Sequence, residues 1–219
     1  MLAGEAVVAI WNDVVPEGLA AFHAWHIAEH MPERVGIPGF RRGRRYVSPA
    51  DACAFFTLYE VDTIEVLAGA DYTARLNAPT AATQANILNF RNTIRSLARV
   101  ERSMGLGVGG ALMTLRFEVE EGAGAAPAAL LSALMEQPRM IGAHLCRTDM
   151  ALSGVVTREK EGRTDLMRPP SWFILAEATD LAAFDAAADE ALCARAGLRG
   201  VSRGLWRLEQ LRNKTAFRA

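Results

Sequence analysis

The segment Arg95-Ser-Leu-Ala-Arg-Val-Glu101 decides the fold, because its pattern R-x-L-x-R-x-E returns as Arg203-Gly-Leu-Trp-Arg-Leu-Glu209. A second pattern, F-x-L-x-E, precedes both segments. It is found as Phe56-Thr-Leu-Tyr-Glu60 and again as Phe173-Ile-Leu-Ala-Glu177. Two patterns that recur in the same order indicate an internal repeat. The chain is therefore predicted to be two diverged copies of one unit, fused head to tail.

Each copy is predicted to follow the order β-α-β-β-α-β. Alternation and helical spacing in the first copy predict strands at 6–12, 40–47, 54–61 and 97–106 and helices at 16–30, 63–76 and 83–95. In the second copy they predict strands at 112–120, 140–148, 172–178 and 201–212 and helices at 127–136 and 181–195. Such a unit forms a four-stranded antiparallel sheet with both helices on one face, so the predicted fold class is α+β.

Glycine and charge mark the boundaries of the two copies. The glycine-rich stretch 105–110 is the predicted junction, which divides the chain into domains 1–107 and 108–219. The stretch 150–170 is rich in charge, glycine and proline, and it is predicted to be a loop inserted in the second copy.

Composition excludes several classes of partner. Lys and Arg total 24 against 25 for Asp and Glu, so no overall field draws the chain to nucleic acid or an anionic membrane. The weakly polar run 104–115 is too short to span a bilayer. The N-terminal residues carry Glu5 and no basic signal segment, so we expect a cytoplasmic protein. Three scattered cysteines predict neither a disulfide framework nor a cysteine zinc site.

The most distinctive segment begins with His26 and His30, which stand at i and i+4 on one helical face. Pro32 ends that face early, and Pro38-Gly39 turns the chain into the next strand. The arginine-rich stretch 41–45 follows on that strand. Alternation places Arg42, Arg44 and Tyr46 on one side of it.

These residues carry a resemblance to a known family. The segment resembles the EthD-like family of the dimeric α+β barrel superfamily. The resemblance rests on a Trp and a His late in the first helix, then H-x-P, I-P-G-F at 37–40 and R-G-R-R-Y at 42–46. Members are ferredoxin-like units whose sheets pair into a barrel, and they include cofactor-independent monooxygenases and isomerases. The resemblance implies that the two antiparallel sheets pack as an intrachain version of that barrel. It also implies a small organic ligand between sheet and helices.

Carried over residue by residue, the resemblance implies a site in the first copy. His30, assisted by His26, is expected to be the general base or acid, and Tyr46 the third catalytic residue. Arg44 is expected to bind a ligand oxygen, while Trp11 and Tyr59 are expected to line the same pocket. The predicted function is cofactor-independent isomerase or monooxygenase chemistry on an apolar or aromatic-acid metabolite.

Two alternatives stay open at this point. The protein could be a non-catalytic ligand carrier or assembly partner, with His26 and His30 serving as hydrogen-bonded groups at a helix end. The letters H-x-x-E-H at 26–30 also match an inverted zinc-peptidase motif, for which Glu101 would be a third ligand. The small repeated scaffold argues against that zinc hydrolase, so no metal or cofactor is predicted. A homodimer is compatible with the pattern.

Comparison of the copies separates scaffold from specialised residues. Aligning Pro38-Gly39 with Ile141-Gly142 leaves leucines and a methionine where the first copy has its histidines. The acidic and basic residues of the two shared patterns are predicted to pair, Glu60 with Arg99 and Glu177 with Arg207. The comparison therefore concentrates the predicted site in the first half of the chain.

Overall fold

The computed structural model describes residues 1–119, 126–185 and 197–215. The strands in these ranges are β1 (Ala6–Val14), β2 (Phe40–Val47), β3 (Ala54–Val61), β4 (Phe90–Met104), β5 (Ala111–Val119), β6 (Met140–Thr148), β7 (Leu166–Met167), β8 (Trp172–Ala178) and β9 (Leu198–Asn213). The α-helices are α1 (Leu19–Trp25), α2 (Met31–Gly36), α3 (Ile64–Ala68), α4 (Ala70–Asn77), α5 (Ala81–Ile87), α6 (Ala126–Met135) and α7 (Met150–Gly154). None of the helices described is long and apolar enough to cross a membrane.

Eight of these strands close into an antiparallel barrel made of two ferredoxin-like sheets. The first repeat contributes β4-β1-β3-β2 and the second contributes β9-β5-β8-β6. Strand β2 pairs with β9 and β4 pairs with β6, so two seams join the repeats. The predicted α+β fold, with two βαββαβ repeats forming an intrachain barrel, is confirmed. The division at 107/108 stays a prediction within the loop between β4 and β5.

Strand register relates the two repeats residue by residue. Ala6 lies opposite Val61 and Arg99, while Ala111 lies opposite Ala178 and Arg207. The R-x-L-x-R-x-E and F-x-L-x-E patterns therefore occupy equivalent places in the two sheets.

The register corrects one part of the predicted alignment. Arg42 and Gly142 occupy equivalent places, because they lie opposite Glu60 and Glu177 respectively. Pro38-Gly39 therefore matches Pro138-Arg139, and not Ile141-Gly142. Gly39 and Arg139 both have positive φ, at 83° and 68°, which agrees with the corrected alignment. The sequence alignment was wrong because it matched glycine to glycine, whereas the left-handed turn residue of the second repeat is an arginine.

Side chains that point into the barrel fill it. They form one buried apolar cluster that includes Trp11, Tyr46, Phe56, Phe173 and Trp206. Side chains on the outer face of the first sheet pack under α2, α3 and α4 in a separate cluster. Side chains therefore occupy the barrel interior, so a ligand cleft would lie between sheet and helices.

Two predicted elements differ from the structure. The helix predicted at 83–95 ends at Ile87, and strand β4 begins at Phe90. This strand is long because its first part pairs with β1 and its last part with β6. Tertiary pairing therefore outweighs local helical spacing there. The helix predicted at 181–195 begins as a 3-10 turn at Leu181–Phe184, and the rest of that prediction lies largely outside the described residues.

The predicted insertion at 150–170 has a defined place. It contains α7 and β7, and it lies against the first repeat. Backbone N–H groups of Asp149 and Glu159 donate to the carbonyls of Leu97 and Leu76, at 2.8 Å and 3.2 Å. Strand β7 pairs in parallel with β4. The second repeat thus covers part of the helical layer of the first.

Candidate functional site

The two motif histidines lie on a π-helical turn, His26–His30, between α1 and α2. The N–H of Met31 donates to the carbonyl of His26, one residue beyond the α-helical partner. Pro32 follows, and it has no N–H with which to continue the α-helical ladder. The turn still brings the imidazoles together in a tilted contact, with ring centroids 5.4 Å apart. Turns of this kind are frequent at functional sites.

A narrow cleft with about 60 Å³ of free volume lies between this turn and the outer face of the first sheet. His30 and Tyr59, two of the predicted site residues, both line it. Its apolar walls include Val8, Ile10, Leu76, Ile87 and Phe90. Gly43, opposite Tyr59 on β2, lets α2 approach, because a Cβ there would lie 3.1 Å from both Met31 and Tyr59.

Four polar atoms at this cleft are buried without a hydrogen-bond partner among the described residues. They are Trp25 Nε1, His30 Nδ1, Arg34 Nη1 and Tyr59 Oη. A buried polar group left without a partner costs about 1–3 kcal/mol. The indole and guanidinium nitrogens are donors only, and the phenol can donate as well. The cleft is therefore suited to a ligand that presents acceptor oxygens.

Burial keeps the two imidazoles and the Tyr59 phenol of this region neutral. Burial lowers the pKa of His30 well below its usual value, and the nearby Arg34 and His26 lower it further. The pKa of His26 is lowered to about 3, chiefly by burial and then by Arg45. Burial raises the pKa of Tyr59, although Arg34 opposes the shift. Both imidazoles and the phenol are thus uncharged near neutral pH.

The insertion of the second repeat completes the wall of the cleft. Glu159 forms an ion pair with Arg34, and both line the cleft. Arg163, another lining residue, donates to Thr93 Oγ1 at 2.8 Å and to Asp165 Oδ2 at 2.6 Å. The predicted site residues all lie in the first half of the chain, and the cleft adds Glu159 and Arg163 from the second. The long insertion brings residues across from the second repeat.

His26 lies behind His30, away from the cleft lining. It is buried among aromatic rings, with its centroid 5.3 Å from that of Phe22 and 5.9 Å from that of Trp25. Its ring contacts that of His30 at a centroid distance of 5.4 Å, and of the two imidazoles only His30 lines the cleft.

The other predicted residues, Tyr46, Arg44 and Trp11, lie on the opposite face of the sheet, inside the barrel. Arg44 Nη1 donates to Glu177 Oε2 at 2.9 Å and to Tyr46 Oη at 2.8 Å. Trp11 Nε1 donates to Thr114 Oγ1 at 3.2 Å. The predicted shared pocket is wrong in this respect, because alternation sends Tyr59 outward and Tyr46 inward from neighbouring strands.

The predicted pairs Glu60–Arg99 and Glu177–Arg207 do not form either. Glu60 lies opposite Val7 and Arg99 lies opposite Ala6, so the two point to opposite faces of the sheet. Instead, Arg44 lies between Glu60 and Glu177, with nitrogen-to-oxygen distances of 2.8 Å and 2.9 Å. Glu60 and Glu177 are equivalent residues of the two repeats, and this network links them inside the barrel.

The zinc alternative lacks a ligand set. Glu101, its proposed third ligand, instead accepts a hydrogen bond from Arg147 Nε at 2.6 Å. Within 1–119, 126–185 and 197–215, no three His, Cys, Asp or Glu side chains converge to hold a metal ion.

Sequence reasoning missed several cleft residues. Arg34 follows His30 by four positions, so helical spacing could have found it. Trp25 packs against His30 with ring centroids 4.3 Å apart, and in the sequence it contributes only to the family motif. Glu159 had no sequence signal, because its place depends on the path of the insertion.

Comparisons with known proteins support the fold. No family model and no curated protein matches the chain. A solved structure from Fusobacterium nucleatum, provisionally described as a monooxygenase, has a TM-score of 0.63 at 9% identity and covers 97% of this chain and 96% of its own. One from Lactobacillus acidophilus, described in the same way, has a TM-score of 0.60 at 8% identity and covers 95% and 96%. An anthrone oxidase-like protein has a TM-score of 0.64 at 11% identity and covers 95% and 92%.

Likeness at such low identity concerns architecture. The similar structures extend over nearly the whole of both chains, so the complete two-repeat barrel is shared. The chain therefore has the dimeric α+β barrel fold, built within one polypeptide.

Proposed function

We propose that the protein binds a small, mainly apolar metabolite in the cleft between the His26–His30 turn and the first sheet, and that His30 transfers a proton to or from it. The observation that carries this proposal is the set of four unpartnered buried polar atoms at one apolar cleft. Such atoms gain their missing hydrogen bonds when a ligand oxygen arrives. A carboxylate, phenolate or enolate attached to an aromatic ring has the required chemistry.

Each residue has a distinct role in this proposal. Arg34 and Tyr59 donate hydrogen bonds to the ligand oxygen, and Trp25 positions the imidazole of His30 by ring stacking. His30 is neutral in the free protein, so one ring nitrogen can accept a proton. An anion that forms beside it favours the imidazolium and thereby raises the pKa of His30. Proton abstraction next to a carbonyl or from a phenol thus becomes feasible only when the ligand is bound.

Two reactions follow from such an anion. Return of the proton to another carbon gives isomerisation, without any cofactor. Reaction of the anion with dioxygen gives cofactor-independent oxygenation, in which dioxygen is the second substrate. Tyr46, Arg44 and Trp11 have no part in this proposal, because they face the barrel interior. Similar structures described as monooxygenases favour the second reaction by analogy of fold alone.

The test combines a ligand screen with a paired substitution. Aromatic carboxylic acids and phenols are screened by thermal shift, and each hit is incubated with the protein and analysed by mass spectrometry. His30→Gln should keep binding and abolish conversion, whereas His23→Ala, on the same helical segment but outside the cleft lining, should change neither. A ligand returned intact by the unaltered protein would instead identify a carrier. Conversion that survives in His30→Gln would refute the role of His30.

A further inference from the structure

A second cavity adjoins the cleft and shares part of its wall. It offers about 200 Å³ of free volume beneath the first turns of the insertion. Tyr72, Leu76 and Arg95 line both spaces. Tyr72 and Arg95 hydrogen-bond to each other through the phenol and the guanidinium. The Tyr72–Arg95 pair therefore borders both the cleft and the second cavity.

The second cavity differs from the cleft in its chemistry. Leu67, Leu97, Leu152 and Val155 contribute apolar walls. One buried hydroxyl without a partner, Thr157 Oγ1, lies among them. The cleft presents several unpartnered donors, whereas aliphatic side chains form most of the lining of the second cavity and Tyr72, Thr73, Arg95 and Thr157 form its polar part. A single molecule that occupied both would need a polar end and an apolar end.

We propose that the second cavity is a subsite for an apolar chain attached to the ligand whose oxygen-bearing end occupies the cleft. The inference rests on the proposed function and specifies its ligand class as a ring or acyl group with an extended aliphatic substituent. The alkyl chain passes the Tyr72–Arg95 pair, a side-chain contact that rotation of the half-buried Arg95 can open. The second repeat encloses this subsite, because Leu152, Val155 and Thr157 belong to its insertion.

The experiment measures binding of benzoate and its para-alkyl derivatives, from methyl to octyl, by calorimetry. Each methylene buried in the cavity should tighten binding by roughly three- to fourfold until the cavity is full. Val155→Trp, which fills the cavity from its rim, should remove the chain-length gain and leave benzoate binding unchanged. Val156→Trp is the matched control, because Val156 is 76% exposed and does not line the cavity. Leu152→Phe provides a second obstruction in case Val155→Trp perturbs the turn.

The outcomes separate this inference from the proposed function. Benzoate binding that gains nothing from longer chains would overturn the chain subsite and leave the cleft assignment standing. A chain-length gain equal in Val155→Trp, Leu152→Phe and Val156→Trp would also overturn the subsite, because the chain would then bind elsewhere. No binding by any member of the series would contradict the cleft proposal itself, and the chain subsite with it.

Discussion

Arg34 and Glu159 form an ion pair that ties the His30 helix of the first repeat to the insertion of the second. The Arg34 side chain is 4% exposed and that of Glu159 is 17% exposed. One guanidinium nitrogen meets the carboxylate, while Nη1 remains buried without a partner at the cleft. The pair therefore has a structural role and also leaves one hydrogen-bond donor available to a ligand.

Replacement of Glu159 by Gln should reveal both the structural role of the pair and the capacity of Arg34 to bind a ligand. The buried guanidinium loses its anion, so the free energy of unfolding should fall by about 1–3 kcal/mol. An aromatic carboxylate can then replace the lost charge, and it should stabilise Glu159→Gln more than the unaltered protein in thermal unfolding. Glu161→Gln, at an exposed neighbouring position, is the control. Equal ligand-induced shifts in the two variants would show that ligand carboxylates do not reach Arg34.

The buried histidines predict a loss of stability in acid. His26 has a pKa of about 3 in the folded chain against an ordinary value of 6.5. The unfolded chain therefore takes up the proton first as pH falls below 6.5, and the folded state is progressively disfavoured down to about 3. One such group contributes about 1.4 kcal/mol per pH unit across that window.

The test compares denaturant unfolding of the unaltered protein and His26→Leu over this range of pH. Below pH 6.5, the free energy of unfolding of His26→Leu should fall less steeply with decreasing pH than that of the unaltered protein. The difference between the two slopes should correspond to about one proton. Identical slopes would mean that His26 is not held neutral by the fold.

The network inside the barrel should matter for stability and not for ligand binding. Arg44 is fully buried between Glu60 and Glu177. Arg44→Met removes the cation between Glu177 and Glu60, of which Glu60 keeps its ion pair with Arg42, so stability should fall by about 3–5 kcal/mol. Urea unfolding measures that loss. Ligand affinity per folded molecule should be unchanged, and a large drop in affinity would place the ligand inside the barrel.

The sequence predicts more of the fold than of the candidate site. Recurrence of the Arg95–Glu101 pattern at Arg203–Glu209 fixed two equivalent strands, and the register of both confirms it. Element order and most strand bounds followed from alternation. The helix predicted through Arg95 was wrong, because pairing of β4 with two partners is a tertiary effect that its local spacing does not contain.

Residues of the candidate site were harder to predict because they depend on which face of a strand points outward. His30 and Tyr59 meet at the cleft, whereas Tyr46 and Arg44 face the barrel. Tyr46 and Arg44 nevertheless lie on β2, the strand that pairs with the strand of Tyr59. Alternation alone gives two faces without saying which one the helices cover. Glu159 could not be found at all, because the path of an inserted loop is set by its contacts with another repeat.

In the proposed function, the ligand binds on the helical side of the first sheet. The paired variants Tyr59→Phe and Tyr46→Phe test it most directly, because both remove one buried phenol oxygen from neighbouring strands, on opposite faces. With para-alkylbenzoates or any ligand found by the screen, calorimetry should show affinity at least about tenfold weaker for Tyr59→Phe. Affinity should be unchanged for Tyr46→Phe. Loss of binding in Tyr46→Phe with full binding in Tyr59→Phe would contradict the claim and move the site into the barrel.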